Sequence, residues 1–169
     1  PVADPAKIKR VKSSAEALKK IAESGSLFIS RGDNSGTHAK EKILWKQAEI
    51  APAGQKWYQE TGLGMGQTLN VAAEKKGYTL ADRGTYLALK KTIPLEILVE
   101  GEAILLNIYH VMEVNSEMWP KVNAAGARAF ADFMVSKQAQ EIIEKFGVDK
   151  FGSPLFFPDA GKKVEDLGK

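Results

Sequence analysis

The chain has 169 residues, 44% of them hydrophobic and 27% charged, with a net charge of +3. That length suits one ordinary domain or two small lobes of a globular protein. Scattered lysines with no long run of like charges argue against a nucleic-acid binder, the absence of cysteine excludes disulfides and thiolate metal sites, and no apolar run reaches the ~18 residues of a membrane span.

Residues 1–12 read as an irregular polar lead-in. Ser13, with Glu16 three residues on, forms a capping-box pattern, and Ala15, Leu18, Ile21 and Ala22 follow at helical spacing up to Gly25. Leu27, Phe28 and Ile29 predict a buried strand that stops at Ser30. Ser35-Gly36-Thr37 predict the start of a second helix carrying Ile43, Leu44 and Ala48 and ending before Pro52 and Gly54. The stretch QKWYQET, residues 55–61, is too polar to read as a buried strand. Behind Gly62, Gly64 and Gly66, the residues Met65, Leu69, Ala72 and Ala73 lie on one helix face, closed by Gly77.

Tyr78 to Ala81 predict a brief strand, and a short helix through Leu87 follows the turn at Asp82. Leu95, Ile97 and Val99 alternate as a strand, and Leu106 to Val114 predict a longer one. Asn123 to Phe146 predict a helix broken near Ser136, with Phe130, Phe133, Met134, Ile142 and Phe146 on its core side. A tail with Pro154 and Pro158 closes the chain, and Trp45, Trp57 and Trp119 are expected to pack.

Strands alternating with helices predict an α/β fold with a largely parallel sheet. Ligands of such sheets sit beyond the carboxyl ends of the strands, where the polar turns 30–37, 62–67 and 82–85 fall. The first turn, SRGDNSGTH, gathers Arg31, Ser35, Gly36 and Thr37 at a helix N-terminus. Unpaired N–H groups, the positive end of the helix dipole, hydroxyls and a guanidinium fork together make a cradle for a small multi-oxygen anion. Asp33 would repel an anion if it faced inward, so it is expected to hold Arg31 or to accept a proton from a protonated ligand. A capped helix beside a surface ion pair explains the same nine residues without a ligand.

SRGDNSGTH resembles the signature of extracytoplasmic tungstate-binding proteins, the receptors of tungstate ABC transporters. Residues 57–91, LVEGE at 98–102, Asn107 to Val111 and FGSPLFFPDA at 151–160 are similar to the rest of that family. The resemblance implies a type II periplasmic-binding-protein fold, two α/β lobes with flanking helices and the anion held between them. It implies a receptor, not an enzyme, lying in the periplasm or otherwise outside the cytoplasm. The ligand implied is tungstate or molybdate, the partner is a transporter permease, and no cofactor or metal site is expected. The oxyanion-binding positions carried over are Arg31, Ser35, Gly36 and Thr37, with Ser30, Asp33, Gly64, Thr68, Asp82 and Arg83 in supporting roles.

One departure is large. Family members open on a further segment with a Thr/Ser-rich loop that touches the anion, and PVADP at 1–5 resembles the part after the first crossover. The expected organisation is a lead-in at 1–5, a nearly complete second lobe at 6–99, and a crossover with the returning half of the first lobe at 100–169. Weaker binding than in a chain carrying that segment is expected.

Other classes leave traces. A phosphate or sulfate receptor would share the same cradle. Gly62-x-Gly64-x-Gly66 with Asp82 twenty residues past Gly62 sketches a dinucleotide fingerprint, although its third glycine falls one residue early. An effector-binding domain of a transcription regulator would carry a helix-turn-helix, and none is visible. Ser35 and His38 sit close enough for a nucleophile and base, but a half-exposed polar His38 is the simpler expectation. Glu41 and Glu49 read as part of a charged face.

Overall fold

A computed structural model describes residues 1–167; Gly168 and Lys169, the end of the expected 100–169 segment, lie outside the described residues. The chain divides into two compact units, Pro1–Leu105 and Leu106–Lys169.

In the first unit, helix α1 (Ser14–Glu23) starts where the Ser13 hydroxyl accepts the Glu16 N–H. It buries Ala17, Leu18 and Ile21. Strand β1 (Phe28–Ser30) is fully buried and leads into helix α2 (Gly36–Gln47). Strand β2 (Tyr58–Glu60) pairs with β1 in parallel, Phe28 facing Tyr58 and Ser30 facing Glu60. On the other side of β1, Tyr78 forms a parallel bridge to Phe28, with Ile29 N–H donating to the Tyr78 carbonyl at 2.7 Å. Thus β1 is central, and its unbroken apolar character follows from burial on both faces. Helix α3 (Met65–Glu74) follows β2, and helix α4 (Arg83–Leu89) follows the Tyr78 bridge.

The core between α1, α2 and β1 is aromatic. Phe28 meets Trp45 edge-on at 5.1 Å and stacks on Tyr58 at 6.0 Å, while Trp45 lies 5.5 Å from Trp57. Each buried ring contributes roughly 1.5–3 kcal/mol of transfer free energy, which fixes β1 against α2. Gly77 is required at its place, because a Cβ there would lie 2.9 Å from Ile29 Cγ1.

Strand β2 corrects the sequence expectation for residues 55–61. Its pairing with β1 compensates for the missing Val/Ile run, since ladder bonds and Tyr58 packing on Phe28 stabilise it. Residues 95–99 form no strand, and Leu95 N–H instead turns back to the Ile93 carbonyl. Alternation marks two faces but supplies no ladder partner, and both edges of β1 are already taken.

In the second unit the segment 106–114 likewise has no ladder partner among the described residues. Helix α5 (Ala124–Met134) is capped by the Asn123 side chain and helix α6 (Lys137–Lys145) by Ser136, so the break falls at Ser136 as expected. Helix α7 (Val148–Phe151) is a single turn between left-handed Gly147 and Gly152. The expected core side of these helices is not buried. Phe130, Phe133, Ile142 and Phe146 are exposed, as is Trp119, and Ala139 is the buried apolar residue of the unit among those described. Apolar spacing predicts a face, but no strand of this unit lies against it among the described residues.

Candidate functional site

Both loops that leave the carboxyl ends of β1 and β2 run into helix N-termini, and the two loops are fastened together. Thr61 N–H donates to the Ser30 carbonyl and Gly62 N–H to the Arg31 carbonyl, at 3.0 and 2.8 Å. The Thr61 hydroxyl lies 3.2 and 3.3 Å from those carbonyls and 2.9 Å from the Thr68 hydroxyl. Gly32 closes the contact: its φ is +60°, and a Cβ would fall 2.6 Å from Glu60 Cβ. Gly32→Ala is expected to destabilise the unit by about 1–3 kcal/mol in denaturant unfolding, from left-handed strain plus overlap.

The loop 31–35 is organised around Asp33. Its Oδ2 accepts from Arg31 Nη2 at 2.5 Å and its Oδ1 from the Ser35 N–H at 3.1 Å. Hydrogen bonding from Ser35, side chain and backbone, and then from Arg31 holds this carboxyl down at about 2. Asp33 is therefore ionised at neutral pH with its acceptors engaged inside the loop. In this geometry Asp33 bonds to Arg31 and to the Ser35 N–H.

The donors left over face a helix start. Ser35 caps α2 by accepting the His38 N–H at 3.3 Å. The N–H groups of Gly36 and Thr37 and the Thr37 hydroxyl make no hydrogen bond among the described residues. Arg31 Nε is buried without a partner among the described residues, a donor whose desolvation costs roughly 1–3 kcal/mol until something accepts from it. Open space surrounds Gly36, where a Cβ would meet nothing within 4 Å. Arg31, Gly36 and Thr37 thus form one donor cluster at the positive end of α2, with the Ser35 hydroxyl partly used as its cap.

The supporting residues sort differently. Ser30 is fully buried and gives its hydroxyl to Glu41 at 2.7 Å, so it faces the core. Thr68 is fully buried and locks the Thr61 turn, reaching back to the Leu63 carbonyl. Gly64 is the N-cap of α3 without a side-chain cap. Asp82 caps α4, taking both the N–H and the hydroxyl of Thr85, and Arg83 pairs with Glu100 at 2.6 Å on the surface. The strand–glycine–helix pattern of a dinucleotide fingerprint does exist around β2 and α3. Its acidic residue, however, is spent as a helix cap.

Two residues were misjudged from sequence. His38 is buried, and its ring nitrogen Nδ1 accepts the Asn34 N–H at 3.1 Å instead of meeting the Ser35 hydroxyl. Glu41 is 2% exposed and accepts from Ser30, Trp45 Nε1 and Tyr58 OH. Burial raises its pKa against the opposing pull of those three donors. The signal was present in the spacing: Glu41 stands three and four residues before Leu44 and Trp45, on the same helix face. A separate groove of about 390 Å³ lies between Arg10–Lys12 and 98–102 and includes none of the loop donors.

A family model described as a PBP superfamily domain matches residues 1–138. The tungstate-binding protein TupA of Peptoclostridium acidaminophilum is 46% identical over 164 residues, covering 96% of this chain and 57% of that protein. A putative ABC transporter anion-binding protein of Haloferax volcanii is also 46% identical, covering all of this chain and 50% of that protein. The chain therefore spans about half the length of these curated relatives. Among solved structures, the tungstate-binding protein TupA from Desulfovibrio alaskensis G20 superimposes with a TM-score of 0.81 at 48% identity, covering 95% of this chain and 65% of that one.

Proposed function

The chain belongs to the PBP superfamily, and from that footing we propose that it is part of a solute-binding receptor that captures a fully deprotonated tetrahedral oxyanion, tungstate or molybdate, for an ABC importer. The observation that carries this is the closed Asp33. A cradle for hydrogen phosphate needs an acceptor for the ligand's proton, and the one carboxylate of the loop is ionised and engaged by Arg31 and Ser35. What remains around Gly36 consists of donors alone, which suits a dianion without a proton. The names of the relatives, a tungstate-binding protein and an anion-binding transporter protein, point the same way.

Capture makes and breaks no bond. The N–H groups of Gly36 and Thr37, the Thr37 hydroxyl and the Arg31 head replace the hydration shell of the anion, and the dipole of α2 favours its charge. Ser35 and Asp33 act behind them by holding Arg31 and the loop. Delivery to a membrane permease outside the cytoplasm completes the reading. No helix among the described residues is long and apolar enough to cross a membrane. The residue ranges 6–99 and 100–169 are proposed as the second lobe and the returning part of the first.

A competition titration across tungstate, molybdate, sulfate and phosphate tests the reading. Tungstate and molybdate should displace one another, with phosphate weaker by about tenfold or more, the scale of one unsatisfied buried polar group. Phosphate binding most tightly would replace this reading with a phosphate receptor. Gly36→Ala separates ligand from fold. It should leave the unfolding midpoint unchanged or raised, since alanine is the better helix former by up to about 1 kcal/mol. It should weaken the anion, because its methyl occupies the approach to the backbone. Unchanged affinity would remove Gly36 from the site.

A further inference from the structure

His38 donates its backbone N–H to the Ser35 hydroxyl, while its ring makes no hydrogen bond to Arg31, Gly36 or Thr37 among the described residues. Its imidazole bridges two pieces of backbone. Nδ1 accepts the Asn34 N–H at 3.1 Å, and Nε2 lies 3.7 Å from Glu60 Oε1 on β2. Asn34 is held in the left-handed region at φ +58°, between Asp33, which grips Arg31, and Ser35, which caps α2. A nitrogen that accepts a backbone N–H carries no proton, so the ring proton sits on Nε2 and points at Glu60. Without that acceptor the Asn34 N–H has no partner among the described residues, and only the Asp33 bonds to Arg31 and to the Ser35 N–H span this part of the loop.

We infer that His38 is a positioning residue of the oxyanion loop: its neutral Nδ1 pins the Asn34 N–H, and this fixes Arg31 and the open N–H groups of α2 in one donor geometry. The effect on affinity rests on the receptor reading, whereas the pinning itself does not. The charged groups facing the ring are Glu60 from β2 and Glu41 from α2 itself.

The test uses side chains that copy one ring nitrogen each. The carbonyl of asparagine can stand where Nδ1 stands, and the amide of glutamine reaches only as far as Nε2. In the intact protein, His38→Asn should bind tungstate within about threefold of the wild type, while His38→Gln should lose about tenfold, the scale of one misplaced hydrogen-bonded group. Amide exchange at Asn34, measured without any anion, should be slow in the wild type and in His38→Asn and fast in His38→Gln. Imidazole nitrogen NMR should find the proton on Nε2. Equal affinity of His38→Gln and wild type, or an Asn34 amide that exchanges freely in the wild type, would overturn the inference. Should the exchange pattern hold while no oxyanion binds the wild type, the pinning stands and the receptor reading fails.

Discussion

Replacing Arg31 with alanine in the intact protein is expected to weaken tungstate binding by at least about 1.5 kcal/mol, roughly tenfold or more, as for loss of a charge-assisted donor. The side chain sits in a loop, outside the aromatic core, so the fold should survive. Arg31→Lys restores the charge without the planar fork and should recover only part of the loss. The same substitution acts on Asp33. Its folded value, near 2, lies below the ordinary carboxylate range, so its stabilising contribution is present above that range and is lost as pH falls towards 2. Removing Arg31 raises that value and moves the loss to higher pH. Calorimetry and acid unfolding of one variant therefore read both partners. Unchanged tungstate affinity in Arg31→Ala would remove the assigned site.

Glu41→Ala is expected to cost about 3–5 kcal/mol of stability, because it strands buried donors and empties a packed site. Three groups lose their acceptor together: Ser30 at the end of β1, Trp45 in α2 and Tyr58 in β2. These tie the central strand to its helix and its neighbour, so the loop at Arg31 should loosen as well. Burial pushes the Tyr58 phenol well up, so it stays a donor across the working range. Glu41→Gln keeps the shape and should cost far less. The sign with pH is distinctive. The folded value of Glu41 is raised, so its contribution is fully present below the unfolded carboxylate value and is lost as pH rises through the folded one. From the ordinary carboxylate range up to mildly alkaline pH the stability difference should therefore move in favour of Glu41→Gln. Urea unfolding at the two ends of that window measures it, and a difference that moves the other way would mean the carboxylate is the form the core prefers.

Local features of the fold were legible. Ser13 and Ser35 each cap the helix predicted behind them, the expected break falls at Ser136, and the parallel order around Phe28–Ser30 follows from its unbroken apolar run. The strand at Tyr58–Glu60 was not legible, because its stability comes from β1 and Phe28 rather than from its own residues. The alternating stretches 95–99 and 106–114 erred in the opposite direction. They carry strand-like residues but no partner to bond with among the described residues.

The candidate site divides along the same line. From the order of its residues alone, the chain determines a cluster of Arg31, Ser35, Gly36 and Thr37 at a helix start, because caps and helix N-termini are set within a few residues. Tertiary structure alone decided which polar groups are free. It turned Ser30 and Thr68 inward, engaged Asp33, buried His38 and Glu41, and left the N–H groups of Gly36 and Thr37 open. Asp33 is engaged within two residues, but the seating of Glu41 against Tyr58 and of Thr68 against the Thr61 turn depends on β2 and α3, about thirty residues further along the chain, coming to lie beside β1. Hydrogen bonds across that separation leave no periodic trace in a sequence.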